Sequence, residues 1–114
     1  MKMIEEGLDS GVVKIVLEGR LDIDGTQQVE QAFAYSTSTR PGQFAVDLSG
    51  VTFLASIGIR MLLTAARAQS LRGGKLILVS PGGMTRKVLE TAGVDQLVSV
   101  VGDLDAARSA LGAA

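Results

Sequence analysis

The sequence predicts an α/β fold, a mixed sheet opened by an N-terminal β-hairpin and continued by alternating strands and helices in the order β-β-α-β-α-β-α-β-α. Three observations predict it. Residues 12–18, 44–48, 75–79 and 97–101 are β-branched or apolar runs of strand length. Between them, apolar residues recur at i, i+3 and i+4. Glycine, proline, serine and aspartate mark the junctions. An opening hairpin followed by such an alternation leaves the later strands parallel. Right-handed crossovers then gather the strand-to-helix loops along one edge, where ligands and partners bind.

In residues 12–18, Lys14 and Glu18 alternate with Val13, Ile15 and Leu17. The turn signal Asp9-Ser10-Gly11 precedes them and pairs this strand with a first strand near residues 2–8. From Thr26 to about Tyr35, Val29, Ala32 and Phe33 form one apolar helical stripe, and Asp24 or Thr26 can cap that helix. Residues 36–42 break the pattern. Residues 44–48 resume as a nearly continuous apolar run, the mark of a central strand.

Residues 49–55 read as a short loop, and a second helix runs from Ser56 to about Leu71. Its period turns Ile59, Leu62, Leu63 and Ala66 inward and Arg60, Thr64 and Arg67 outward. Arg72-Gly73-Gly74 ends it. The strand 75–79 follows, then a turn at Ser80-Pro81 and a short helix from Met84 to Ala92 closed by Gly93, at a position that favours a left-handed residue. After a last strand at 97–101, Gly102-Asp103 leads into a final helix whose Leu104, Ala107, Arg108 and Leu111 share a face.

The composition narrows the function. With 114 residues, 46% hydrophobic and 20% charged, the chain suits one domain over residues 1–114. Eleven basic against twelve acidic residues give a formal charge of -1, and the basic residues look scattered, so no direct nucleic-acid contact is expected. No apolar run approaches the roughly 20 residues that span a bilayer, and the first residues lack a signal-peptide core. The expected compartment is the cytoplasm, without membrane insertion. Cysteine and histidine are absent, which removes the common general base, metal ligand and strongest nucleophile. No enzyme activity, metal or cofactor is expected.

Candidate sites fall on the predicted edge, in residues 19–24, 49–58 and 80–83. Ser56, at the start of a helix, has its hydroxyl among unpaired N–H groups and at the positive end of the helix dipole, a setting that accepts a phosphate. Serine is also a good N-cap, contributing about 1 kcal/mol over alanine, and the residue alone leaves both roles open. Gly58 costs ~1 kcal/mol relative to alanine within a first helical turn, so its bareness implies close approach by a partner or a neighbouring loop. Ile57, Arg60, Met61 and Thr64 share an outer surface suited to docking a protein. Asp22 and Asp24 are cap or turn formers that could also hold a partner's metal or accept its hydrogen bonds. Asp47 suits a hydrogen bond to loop amides. The glycine pairs at 73–74 and 82–83 lack the flanking residues of a phosphate cradle.

Gly19-Arg20-Leu21-Asp22, the run from Val46 to Ile59, Gly73-Gly74-Lys75-Leu76, Ser80-Pro81 and the run from Val88 to Val94 together resemble the STAS domain. That family is shared by bacterial anti-sigma factor antagonists and sulfate-transporter tails, and the resemblance covers essentially the whole chain. With no further domain left over, it implies a stand-alone antagonist. The implied mechanism is a partner switch. The unphosphorylated domain captures an anti-sigma factor that is also a serine kinase, the kinase phosphorylates a serine in an Asp-Ser-Ser/Thr-Gly pattern, and a serine phosphatase restores it. Carried over, the acceptor falls on Ser56 and the glycine on Gly58, while Ala55 replaces the aspartate and Ile57 the second hydroxyl residue. The resemblance thus implies a partner surface around Asp22, Asp24, Ala55, Ser56, Ile57, Gly58, Arg60 and Met61. STAS-like chains also serve as accessory or ligand-binding subunits of transport or signalling complexes. In that role the same residues would dock constitutively.

Overall fold

A computed structural model describes residues 1–8, 11–39 and 41–112. Its elements are β1 (Lys2–Gly7), β2 (Val12–Leu21), α1 (Ile23–Ser38), β3 (Gln43–Leu54), α2 (Ser56–Leu71), β4 (Lys75–Val79), α3 (Gly83–Thr91), β5 (Val100–Val101) and α4 (Leu104–Ala110). The five strands form one sheet in sequence order, with β1 antiparallel to β2 and every later pair parallel. The expected mixed α/β fold and element order are therefore those observed. Of the expected hairpin turn, Asp9 and Ser10 lie outside the described residues, as does Arg40 in the break after α1.

Helices α1, α2 and α3 cover one face of the sheet. Val29 and Phe33 of α1, Leu62 and Ala65 of α2 and Leu89 of α3 pack there on Ile15, Leu17, Val46, Leu48 and Leu78. A fully buried side chain of this kind contributes roughly 1.5–3 kcal/mol. The other face carries a smaller cluster in which Ala107 and Leu111 meet Val12, Ala45, Ile77 and Val79. Asp103 caps α4, its Oδ1 accepting from the Ala106 N–H at 2.8 Å.

Several boundaries depart from the sequence reading. Helix α1 begins at Ile23 and runs to Ser38, and its cap is Asp22 rather than Asp24 or Thr26. Thr26 is fully buried and Ala32 is exposed, so the stripe is Val29, Phe33 and Thr37. In α2 the buried line is Gly58, Leu62, Ala65 and Gln69, with Ile59, Leu63 and Ala66 half-buried on its flank. The last strand is only Val100–Val101. A 3₁₀ turn over Val94–Gln96 precedes it, and the N–H groups of Leu97 and Val98 both donate to the Val94 carbonyl, which keeps them out of the ladder. Gly93 has φ 75°, the left-handed geometry expected of it.

The largest departure is β3, which does not end at Leu48 but continues to Leu54. Its second half pairs with the end of β2, Gly50 with Glu18 and Leu54 with Leu21, across two register shifts. Strand β4 accompanies β3 only to Asp47. Thr85 of α3 covers the bare side, its buried hydroxyl donating to the Val51 carbonyl at 3.1 Å. The β2 and β3 ends thereby project beyond β4 and carry the candidate site.

Candidate docking edge at the start of α2

Only Ala55 separates β3 from α2. Its N–H donates to the Leu21 carbonyl at 2.9 Å, which ties the start of α2 to the end of β2. Ala55 is the N-cap residue, and Ser56 is the first residue of the helix. Ser56 is thus not the cap that serine's propensity suggested. Alanine supplies no side-chain acceptor, so the first N–H groups of α2 have no side-chain cap. The Ser56 side chain is exposed beside them.

Gly58 is buried, and its need for space lies within the chain. A Cβ there would stand 2.9 Å from the Leu21 Cβ, 3.0 Å from Leu54 Cδ1 and 3.1 Å from the Leu21 carbonyl oxygen. The close approach expected at Gly58 is therefore between α2 and the ends of β2 and β3. Gly58 positions the edge without presenting a surface to a partner.

Asp22 organises the neighbouring corner. Its Oδ1 accepts from the Gly25 N–H at 2.8 Å and its Oδ2 from Arg20 Nε at 3.3 Å. The Arg20 guanidinium also stacks 4.3 Å from the centroid of the Phe53 ring. The Gly25 N–H, followed by Arg20, holds the Asp22 carboxyl below its ordinary value of 3.8, with partial desolvation opposing. Since the folded value lies below the unfolded one, the carboxylate stabilises the fold above about pH 4. That contribution is lost as the pH falls through the lowered folded value. Asp22→Asn is therefore expected to flatten the acid limb of stability against pH below about pH 4, read by urea unfolding at stepped pH. An unchanged acid limb would count against the assignment. Asp24 is exposed in the first turn of α1 and caps nothing. Among the described residues no group of three or more His, Cys, Asp or Glu could hold a metal ion. Asp47, as expected, serves its own backbone, with Oδ1 accepting from the Ser49 N–H at 2.8 Å.

The expected docking residues divide between two flanks of α2. Ile57, Arg60 and Met61 line a groove of about 400 Å³ against Phe33, Ala34 and Thr37 of α1. Ile57 is half-buried there, not fully outward. On the opposite flank, Ala55 and Ser56 line a hollow of about 500 Å³ with Met84, Lys87 and Val88 of α3. Asp22 and Asp24 line neither.

Met84 and Lys87 were not singled out by sequence, and a charge signal could have found one of them. Arg60, Arg67, Arg72, Lys75, Arg86 and Lys87 all lie between Asp47 and Glu90, a stretch without a single carboxylate. Six of the eleven basic residues thus fall on or beside α2, β4 and α3, while the other five are spread through the rest of the sequence. Among the described residues no helix is long and apolar enough to cross a membrane.

The profile of one protein family, described as "Mlab, STAS domain", matches residues 4–101. The anti-sigma-F factor antagonist RsfB of Mycobacterium tuberculosis is 28% identical over 89 residues, which cover 76% of this chain and 70% of that protein. A crystal structure of an anti-sigma factor antagonist from Mycobacterium paratuberculosis superposes with a TM-score of 0.87 at 27% identity, covering 97% of this chain and 93% of the other. The unphosphorylated form of the anti-sigma factor antagonist SpoIIAA shares the fold at TM-score 0.76 and 21% identity, with 97% of each chain covered.

Proposed function

We propose that this chain, which belongs to the STAS domain family, is an anti-sigma factor antagonist that docks its partner through the edge around Ser56 and is switched by phosphorylation there. The observation that carries the reading is the exposed Ser56 hydroxyl at the first residue of α2, beside N–H groups that lack a side-chain cap. The names of the mycobacterial relatives support the partner class. A phosphate at Ser56 adds roughly -1.5 to -2 charges, stabilised by the helix terminus and placed in the wall of the hollow toward α3. In this reading the partner is an anti-sigma factor with serine kinase activity, met in the cytoplasm, and a serine phosphatase restores the hydroxyl. The domain is the kinase's substrate and not itself an enzyme.

A second reading is an accessory or ligand-binding subunit of a transport or signalling complex. It is favoured by Ala55 and Ile57, which stand where the phosphorylation pattern has an aspartate and a hydroxyl residue. In that reading Ser56 docks and is never modified.

Incubation with the cognate anti-sigma kinase and ATP, followed by intact mass and site mapping, separates the two. The switch predicts modification at Ser56. It also predicts that Ser56→Asp weakens the complex at least about tenfold, equivalent to ~1.4 kcal/mol, while Ser56→Ala stays within a factor of about three. Absence of both modification and complex refutes the antagonist. A complex indifferent to Ser56→Asp, with Ser56 unmodified, supports the constitutive subunit.

A further inference from the structure

The flank of α2 that faces α3 is longer than the hollow at Ser56. Ile59, Leu63 and Ala66, at i, i+4 and i+7, lie along it. Ile59 lines the hollow of about 500 Å³ against α3. Leu63 and Ala66 line a second hollow of about 350 Å³, whose far wall is Leu97 and Val98. The two hollows lie in line along this stripe of α2, a furrow in two parts from Ser56 to Ser70, about 21 Å at the helical rise of 1.5 Å per residue. Met84 lines the first part and Leu97 the second, and they are 79% and 72% exposed. Large apolar side chains so exposed along a groove mark a contact surface.

The charge of the furrow selects its occupant. Lys87 is the charged residue of the first hollow and Arg67 that of the second, and among the described residues no carboxylate lines either. Neither cation forms an ion pair among the described residues. The groove on the α1 side differs, since Glu30 opposes Arg60 there. An apolar furrow of helical length, flanked by unpaired cations and bare of acids, complements an amphipathic helix with an acidic polar face.

We infer that the α3-side furrow of α2 receives an acidic amphipathic helix of the partner, about four turns long. Apolar side chains of that helix seat on Ile59, Leu63, Met84 and Leu97, and its carboxylates meet Lys87 and Arg67. The inference rests on the docking reading above and adds the face and the chemistry of the partner. It also gives the phosphate at Ser56 a direct effect, because negative charge at the end of a cationic furrow repels the helix that the furrow attracts.

The test is a titration of the ¹⁵N-labelled protein with a synthetic four-turn helix of leucine and glutamate, and with its leucine–lysine counterpart. The glutamate helix is expected to shift the amides of Ile59, Leu63, Met84 and Leu97. R67E/K87E should weaken it at least about tenfold and favour the lysine helix instead; both positions are exposed, and R67Q/K87Q supplies a milder variant. Shifts confined to the α1 side, no shifts at all, or affinity indifferent to charge reversal would overturn the inference. With the cognate anti-sigma factor, a complex lost on Ser56→Asp but intact in R67E/K87E leaves the antagonist standing and overturns the furrow. Binding of the glutamate helix without any anti-sigma complex supports the furrow and refutes the antagonist.

Discussion

Gln69→Leu is expected to lower the unfolding free energy by about 3 kcal/mol, the sum of one buried and one partly buried backbone group left without partners. Gln69 is fully buried near the end of α2. Its Nε2 donates to the Thr37 carbonyl at the end of α1, and its Oε1 accepts from the Gly42 N–H at 2.9 Å, just before β3. The Gly42 carbonyl in turn accepts from the Lys75 N–H at 2.9 Å, at the start of β4. One amide side chain therefore joins two helix ends to two strand starts. Leucine fills similar volume but satisfies neither group, so the loss is polar rather than one of packing. Urea unfolding followed by circular dichroism measures it, and a midpoint equal to wild type would refute the assignment.

Gly25→Ala is expected to cost roughly 3 kcal/mol or more, beyond the usual range for overpacking because backbone must move. A Cβ at Gly25 would stand 1.8 Å from the Arg20 carbonyl oxygen and 3.2 Å from Asp22 Oδ1. Helix α1 would have to lift from the end of β2, breaking the bond from Gly25 N–H to Asp22 and disturbing the corner that supports Ala55 and Ser56. Gly102→Ala is the control. Nothing lies within 4 Å of a Cβ there, its φ lies outside the left-handed region, and it caps no helix. It should stay within about 0.5 kcal/mol of wild type. Comparable losses for the two variants would show that steric closeness at Gly25 is not what matters.

Neither residue stood out in the sequence, for the same reason. Gln69 reads as an exposed polar position late in an amphipathic helix, and Gly25 as a weak residue near a helix start. Their roles depend on segments distant in the chain or on how closely a helix is laid against a strand end. The positions legible beforehand were those whose physics is local. Gly93 acts through its own backbone and Asp103 within three residues of itself, and the apolar runs at 44–48 and 75–79 are strands wherever they pack.

The docking edge shows the boundary most clearly. By itself the sequence determined that an α/β sheet forms with its strand-to-helix connections on one edge, and that a serine stands at the start of the second helix. Both follow from periodicity and capping chemistry, which operate over a few residues. Tertiary structure decided where that helix starts and what surrounds the serine. Ser49-Gly50 reads locally as a turn, yet pairing with residues 18–21 and the bond from Thr85 to Val51 carry β3 on to Leu54. Ala55 becomes the cap because its N–H reaches Leu21, leaving Ser56 exposed. The packing of α1 and α3 on either side of α2 then divides one apparent docking stripe into two grooves, a mixed-charge groove toward α1 and a cationic furrow toward α3. Contacts between residues far apart in the chain set that division, and no local pattern encodes them.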